Sequence, residues 1–406
     1  MRRVVITGMG TVNPLGNNVE DFKNAMFAGK NGIGTITKFD VSESKYKVAG
    51  EVKNFDAAEV LGKMTVRKTD PFTQFALAAA KEALEQSGIV GTIESDRMGV
   101  CFGSGIGGME TLCTDHQNLL EKGPRKVSPH FVPKMIYNIA AGNLAIEYHA
   151  NGPCIAVSTA CATGTTAVGE SYRTILHGYA DAMIAGGSEA AINPLTVAGF
   201  GNCQALSDNP DPESACRPFD KNRNGFIMAE GAGVLVLEEY EHAKARGAKI
   251  LAEIVGYGST CDAHHVTAPD PEATYVAKAF RDAMPADADL SKVYVNAHGT
   301  STPLNDKTET TALKVAFGED AKKLHISSTK SMTGHMLGAT GAVECIACIL
   351  ALQNDTVPPT IHYTEPDPEL DLDYTPNKAV QTELELSVCS NLGFGGNHAV
   401  VTFKKA

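Results

Sequence analysis

β-prone runs, each with glycines close behind, recur in the same order in the two halves of this chain, and that recurrence narrows the available folds more than any single motif does. Val4–Thr7 leads into the glycine turn Gly8-Met9-Gly10, and Lys249–Val255 leads likewise into Gly256-Tyr257-Gly258. The spacing predicts a strand over Met98–Phe102, before the glycine-rich run Gly103 to Gly108, and its counterpart over Lys292–Ala297, ending at His298. Ala162-Thr163-Gly164 and Ala339-Thr340-Gly341 each open an apolar helical pattern. Further strands are expected at Ala182–Gly187, Gly233–Glu238, Ser387–Ser390 and Ala399–Phe403, and an alanine-striped helix over Phe72–Ser87. Strands alternating with helices, twice over, imply an α/β fold of two similar βα halves sharing one core. The halves divide at residues 1–246 and 247–406, and 406 residues suffice for a large core. A site between such halves draws its residues from strand ends on both sides.

The first half supplies a nucleophile candidate. Asn151-Gly152-Pro153 breaks the chain, Cys154 to Val157 is β-prone, and Val157-Ser158-Thr159-Ala160-Cys161-Ala162-Thr163-Gly164 reads as strand, abrupt turn and helix. Cys161 then sits beside the N–H groups that open the helix, which favour a thiolate. The second half supplies polar partners. His298 follows a strand directly in His298-Gly-Thr-Ser-Thr302, and His335 lies in the glycine-hinged run from Lys330 to Gly338. Two imidazole N–H groups can hold an oxygen that becomes negative, as when a thioester enolises, and Lys330 can tune their protonation. Phe394, in Gly393-Phe-Gly-Gly396, can offer a backbone N–H to an oxyanion at Cys161. By themselves these residues reach as far as a thiol acyltransferase.

Other classes fall away. A net charge of −12 argues against a general nucleic-acid binder. The apolar run near Ala342 to Leu352 is short and interrupted by Glu344, so no membrane span is expected. The N-terminal residues read as a first strand rather than a signal peptide. Ten cysteines without such a signal suggest reduced thiols in the cytoplasm. Cys345 and Cys348 lie one helical turn apart in an apolar pattern and read as core; no Cys/His spacing implies a metal. Gly103-Ser104-Gly105-Ile106-Gly107-Gly108 lacks the dinucleotide spacing and reads as a loop for close approach.

At these residues the chain resembles the β-ketoacyl-(acyl carrier protein) synthases, most closely their type II condensing enzymes. The resemblance runs from Arg3 to Lys404. It rests on Val5-Ile-Thr-Gly-Met-Gly10, the Cys161 stretch, Arg217-Pro-Phe-Asp220, Glu230-Gly-Ala-Gly233, His298-Gly-Thr-Ser-Thr302, Asn305-Asp306-x-x-Glu309, Lys330-Ser-x-x-Gly-His335 and Gly393-Phe-Gly-Gly396. It implies a thiolase-like fold in five α-β-α-β-α layers, a homodimer, and elongation of fatty acyl chains by decarboxylative Claisen condensation. It further implies that Cys161 carries the acyl group, that His298 and His335 stabilise the enolate, and that Lys330 and Glu309 form a supporting polar pair near His335. Thr300 and Thr302 correspond to positions that bind the phosphopantetheine arm, Ile106 and Phe200 to the acyl pocket, and Phe394 to a gating aromatic. No tightly bound cofactor is implied, since the substrate brings its phosphopantetheine on acyl carrier protein. That acidic partner requires basic docking clusters, which Lys63, Arg67 and Lys68, and separately Lys122, Arg125 and Lys126, can supply.

The chain departs from the family pattern in places. Ser390-Asn391-Leu392 stands where Asn-Ser-Phe is usual, Asn397-His398 where Thr-Asn is, His264 where a Tyr is common, and Gln204 where an Arg is frequent. Rival readings are a thiolase using Cys389 as a second thiol, a polyketide synthase with the same chemistry, an initiating synthase pairing Cys and His with Asn, and a non-catalytic partner subunit. The second histidine and the intact Cys161 stand against the first, third and last of these.

Overall fold

The computed structural model describes residues 2–406. Ten strands form the main sheet: β1 (Val4–Val12), β2 (Met98–Gly103), β3 (Cys154–Ile155), β4 (Ala182–Glu189), β5 (Gly231–Glu239), β6 (Ala252–Cys261), β7 (Val293–Asn296), β8 (His325–Ser327), β9 (Leu386–Gly393) and β10 (Asn397–Lys404). Their order is β8-β7-β9-β10-β6-β1-β5-β4-β2-β3. Outward from the middle, β1-β5-β4-β2-β3 and β6-β10-β9-β7-β8 follow one plan, with antiparallel pairings inside and parallel ones at the edge. Within the sheet, the two five-stranded halves join where Val4–Ile6 pairs antiparallel with Ala252–Ile254. The repeat legible in the sequence is thus a repeat of topology.

Six helices matter for the site: α1 (Lys63–Lys68), α2 (Pro71–Ser87), α3 (Thr163–Leu176), α4 (Thr274–Ala283), α5 (Pro303–Phe317) and α6 (Thr340–Asn354). α2 covers the outer face of β1, β5 and β4, while α4 covers β6 and β10 and packs on α5. α3 and α6 lie against each other between the halves and touch strands of both. The result is the expected five layers, with one apolar cluster at the centre and one under each outer helix layer. Every residue from Thr340 to Leu352 is buried, as a helix apolar on all sides requires. Together with the 3-10 turn before it, this helix makes Leu337–Asn354 the one helical stretch among the described residues long and apolar enough to cross a membrane, and it is the core of the fold.

Local chemistry explains the main elements. Asp70 caps α2 by accepting the Phe72 N–H, Pro71 fits its first turn, and Gly88 ends it at φ 62°. The sequence reading placed Gly8 and Gly10, like Gly256 and Gly258, in turns, and this is corrected: they lie inside β1 and β6. A Cβ at Gly8 or Gly10 would stand 2.1 and 2.0 Å from the carbonyl oxygens of Ala83 and Ala79; at Gly256 or Gly258 it would stand 1.8 and 2.0 Å from those of Ala283 and Ala279. Both glycine pairs let an alanine-lined outer helix press on the strand backbone.

α3 and α6 cross in the same manner. A Cβ at Gly164 would lie 2.4 Å from the Ala342 nitrogen, and one at Gly341 2.5 Å from the Thr165 nitrogen. Gly164→Ala is therefore expected to force the two central helices apart and cost about 1–3 kcal/mol, read as a lowered thermal or urea midpoint.

Candidate active site

Both central helices are entered in the same way. A non-glycine residue with positive φ (Ala160, 50°; Leu337, 47°) is the first residue of a single 3-10 turn, Ala160–Ala162 or Leu337–Ala339, and the helix follows. Cys161 occupies the middle of the first turn and Gly338 the middle of the second. The strained Ala160 aims the Cys161 side chain out of the helix line into a cavity of about 400 Å³. His298, Thr300, Thr302, His335, Leu392, Phe394 and His398 line the same cavity. Sulfur and both imidazoles thus converge, although more than 130 residues separate Cys161 from His298 in the chain.

His298 and His335 face one another nearly at right angles, with ring centroids 5.5 Å apart. Each ring has its Nδ1 occupied. Thr340 Oγ1 lies 3.0 Å from Nδ1 of His335, and Asn391 Nδ2 lies 3.3 Å from Nδ1 of His298. With Nδ1 accepting in both, each ring keeps its Nε2–H to donate. Burial, and next the Lys330 charge, hold both imidazoles well below the ordinary histidine range, so they are neutral donors at pH 7.

Lys330 begins a short helix, Lys330–Thr333, and is fully buried; its Nζ donates to Glu344 Oε1 at 2.7 Å. Asn391 Nδ2 donates to the other Glu344 oxygen at 2.7 Å, and Asn391 Oδ1 accepts from Thr165. Burial pushes the Glu344 carboxyl up to about 8 against the pull of Lys330. The expected pairing of Lys330 with Glu309 is not what forms. Glu309, on α5, instead accepts the backbone N–H groups of His298 and Gly299 at 2.7 and 2.8 Å, and burial pushes it up to about 7. It shapes the turn that presents His298, while Glu344 takes the cation. Asn391 and Glu344 are polar residues of the site to which sequence reading gave no role; their signal is a carboxylate in an apolar helix and an amide within a buried strand.

The expected Cys161 thiolate is also corrected. Burial pushes the thiol up to about 12, although Lys330 and the Phe394 N–H both favour the thiolate. Gly393 brings the β9–β10 turn against this point, for a Cβ there would lie 2.3 Å from the Thr159 oxygen and 3.3 Å from the Cys161 nitrogen. Behind Cys161 an apolar cluster gathers Ala191, Val197, Phe226, Leu337, Ile106 and Phe200. Rings run from Phe394 to Phe200 (6.5 Å), Phe226 (5.6 Å) and on to His335 (5.0 Å). Leu392 is buried in the second half's core, so Phe394 is the aromatic of the turn. Thr300 and Thr302 hydroxyls are 2.9 Å apart on the cavity wall.

Other candidates fall outside the chemistry. His264 is exposed and does not line the cavity, whereas buried His398 does and bonds Asp262 at 2.7 Å. Cys345 and Cys348 are core residues, and Cys389 turns toward Thr165 and Gly341 rather than the cavity. Lys63, Arg67 and Lys68 on α1, and Arg125 and Lys126 on the turn Pro124–Lys126, are exposed. None of the five has an ion-pair partner among the described residues.

Residues 1–243 match the family description "Beta-ketoacyl synthase, N-terminal domain" and residues 251–364 match "Beta-ketoacyl synthase, C-terminal domain". The chain belongs to the β-ketoacyl synthase family of condensing enzymes. It is 50% identical over 408 residues to 3-oxoacyl-[acyl-carrier-protein] synthase 2 of Staphylococcus aureus (strain COL), covering all of this chain and 98% of that one. Among solved structures it superimposes on a β-ketoacyl synthase from Burkholderia phymatum STM815 with a TM-score of 0.91, at 35% identity and full coverage of both chains. A ketosynthase of a type II polyketide system, solved with its acyl carrier protein and a bound hexaketide, matches at 0.89 and 34%, covering all of this chain and 99% of that one.

Lys330→Ala removes the positive charge nearest both rings. The pH titration of the His298 and His335 ring signals by NMR is expected to move upward for both; an unchanged or downward shift contradicts the electrostatic assignment.

Proposed function

We propose that this chain lengthens fatty acyl groups by two carbons, condensing an acyl group held on Cys161 with malonyl-(acyl carrier protein). The observation that carries the reading is one cavity holding a buried thiol and two neutral imidazoles whose Nδ1 atoms are already occupied.

The steps follow from the residues. Cys161 sulfur attacks the acyl-carrier thioester; the C–S bond to the pantetheine arm breaks, and the thiol proton leaves with that arm. Lys330 and the Phe394 N–H offset the cost of the anionic sulfur during attack. Malonyl-carrier enters next, its arm beside Thr300 and Thr302. Its carboxylate leaves as carbon dioxide, and the electron pair passes into an enolate whose oxygen accepts from His298 and His335. A neutral imidazole is the right donor here, for an imidazolium would protonate the carbanion. The carbanion attacks the acyl carbonyl, whose oxygen accepts from the Cys161 and Phe394 N–H groups. Collapse releases the 3-oxoacyl-carrier and expels the sulfur as an anion, which takes up a proton from solvent to restore the thiol. The alkyl chain lies in the apolar cluster with Ile106 and Phe200.

The carrier partner is read from charge. The unpaired cations of α1 and of the Pro124–Lys126 turn suit an acidic protein despite the chain's net charge of −12. Gln204 at the cavity contributes no charge where an Arg is frequent. A homodimer is read from the sheet edge: β3 lies at the end of the ten strands with Ile155 exposed, beside the helix Ile139–Tyr148 and its exposed Ile146. Such an apolar edge is suited to pairing with a second copy. A cytoplasmic setting fits ten unpaired thiols.

Cys161→Ala is expected to abolish the acyl adduct seen by mass spectrometry after mixing with acyl-carrier thioester. His298→Ala and His335→Ala should each retain the adduct while lowering malonyl-carrier decarboxylation on the order of a hundredfold or more; loss of the adduct instead, or no change in decarboxylation, refutes these roles. Charge reversal at Arg67 and Lys68 should raise KM for carrier substrates and leave acylation by a small thioester nearly unchanged.

A further inference from the structure

Glu189 ends β4 with no exposure to solvent, and no cation pairs with it among the described residues. Four donors surround it. Ser104 Oγ donates to Oε1 at 2.6 Å, the Ile106 N–H to Oε1 at 3.3 Å, the Gly105 N–H to Oε2 at 2.7 Å, and the Gly338 N–H to Oε2 at 2.9 Å. Ser104 Oγ in turn accepts the Gly107 N–H at 2.9 Å. Three of the four donors belong to the first-half loop that carries Ile106. The fourth lies in the second half, three residues beyond His335 and next to Leu337, which packs in the apolar cluster with Cys161.

The junction has no slack. A Cβ on Gly338 would lie 2.3 Å from the Gly105 nitrogen and 2.9 Å from Glu189 Oε2, and one on Gly187 2.3 Å from the Gly338 oxygen. With backbones this close, a displacement of either loop passes to the other. Only an ionised carboxylate can serve all four donors. An amide of the same shape has one accepting oxygen and sets its own N–H groups against the donors.

We propose that Glu189 is a positioning residue that couples the wall of the acyl pocket to the loop carrying His335, so that one side chain governs both acyl-length preference and malonyl decarboxylation. The proposal rests on the condensing reaction above. Burial pushes the Glu189 carboxyl up to about 7, and the hydrogen bonds of its donors, with no cation beside them, are what pull it back toward the charged form.

The test compares wild type, Glu189→Gln and Ser104→Ala by melting temperature, by malonyl-carrier decarboxylation with Cys161 unacylated, and by kcat/KM across short to long acyl-carrier substrates. Glu189→Gln is expected to lower decarboxylation and long-chain transfer together, on the order of tenfold to a hundredfold, with KM for malonyl-carrier little changed. Ser104→Ala, which leaves the other three donors, should melt near wild type yet shift the acyl-length profile. If both variants keep the wild-type profile and decarboxylation rate per folded molecule, or if only one of the two activities moves in Glu189→Gln, the coupling is refuted. Should Glu189→Gln fail to fold, Ser104→Ala decides: a shifted acyl-length profile together with altered decarboxylation supports the coupling, and a change in one alone, or in neither, refutes it. A wild-type protein that releases no carbon dioxide from malonyl-carrier would overturn the condensing reading instead.

Discussion

The close crossing of the two central helices governs everything else in this molecule. Gly164 and Gly341 let α3 and α6 approach backbone to backbone, and the two helix starts therefore lie side by side between the halves. The turn before one start carries Cys161, and the turn before the other follows His335. The β9–β10 turn reaches the same point because Gly393 admits it there. Residues from distant parts of the chain meet because the packing leaves no alternative. Side chains at the crossing would wedge the helices apart and separate sulfur from imidazole.

The second constraint is electrostatic. Lys330 and Glu344 are both buried, and neither alone would be tolerated in such surroundings. Asn391 completes the arrangement by bridging Glu344 to His298, so the charge pair also fixes the orientation of a ring. One cation thereby serves two purposes: it adds to burial in keeping both histidines neutral, and it favours negative charge on the sulfur. A surface lysine would do neither, since water would screen it.

Much of this was legible in the sequence, for identifiable reasons. The strand order repeats because strand and helix periodicities repeat, and Cys161, His298 and His335 stand out because glycines and small residues frame reactive side chains at strand ends. Glu309 was read into the wrong partnership. Its distance along the chain from Lys330 and His335 gives no hint that its oxygens turn to backbone N–H groups instead. Gly8, Gly10, Gly256 and Gly258 were read as turns because sequence shows that a side chain is missing but not what presses into the space. The thiolate expectation for Cys161 considered the helix start and not the depth of burial. Asn391 and Glu344 were noticed but given no role, because a buried polar side chain reveals its purpose only with its partners in view.

The positions of Cys161 and Gly338 within matching turns carry a further consequence. Duplication by itself would create two equivalent niches, each suited to a reactive group. In the second half that niche has no side chain, and the first half's own backbone fills the space. Of the two matching turns, only the one with Cys161 therefore carries a reactive side chain, and the twofold plan of the fold ends in a one-sided site.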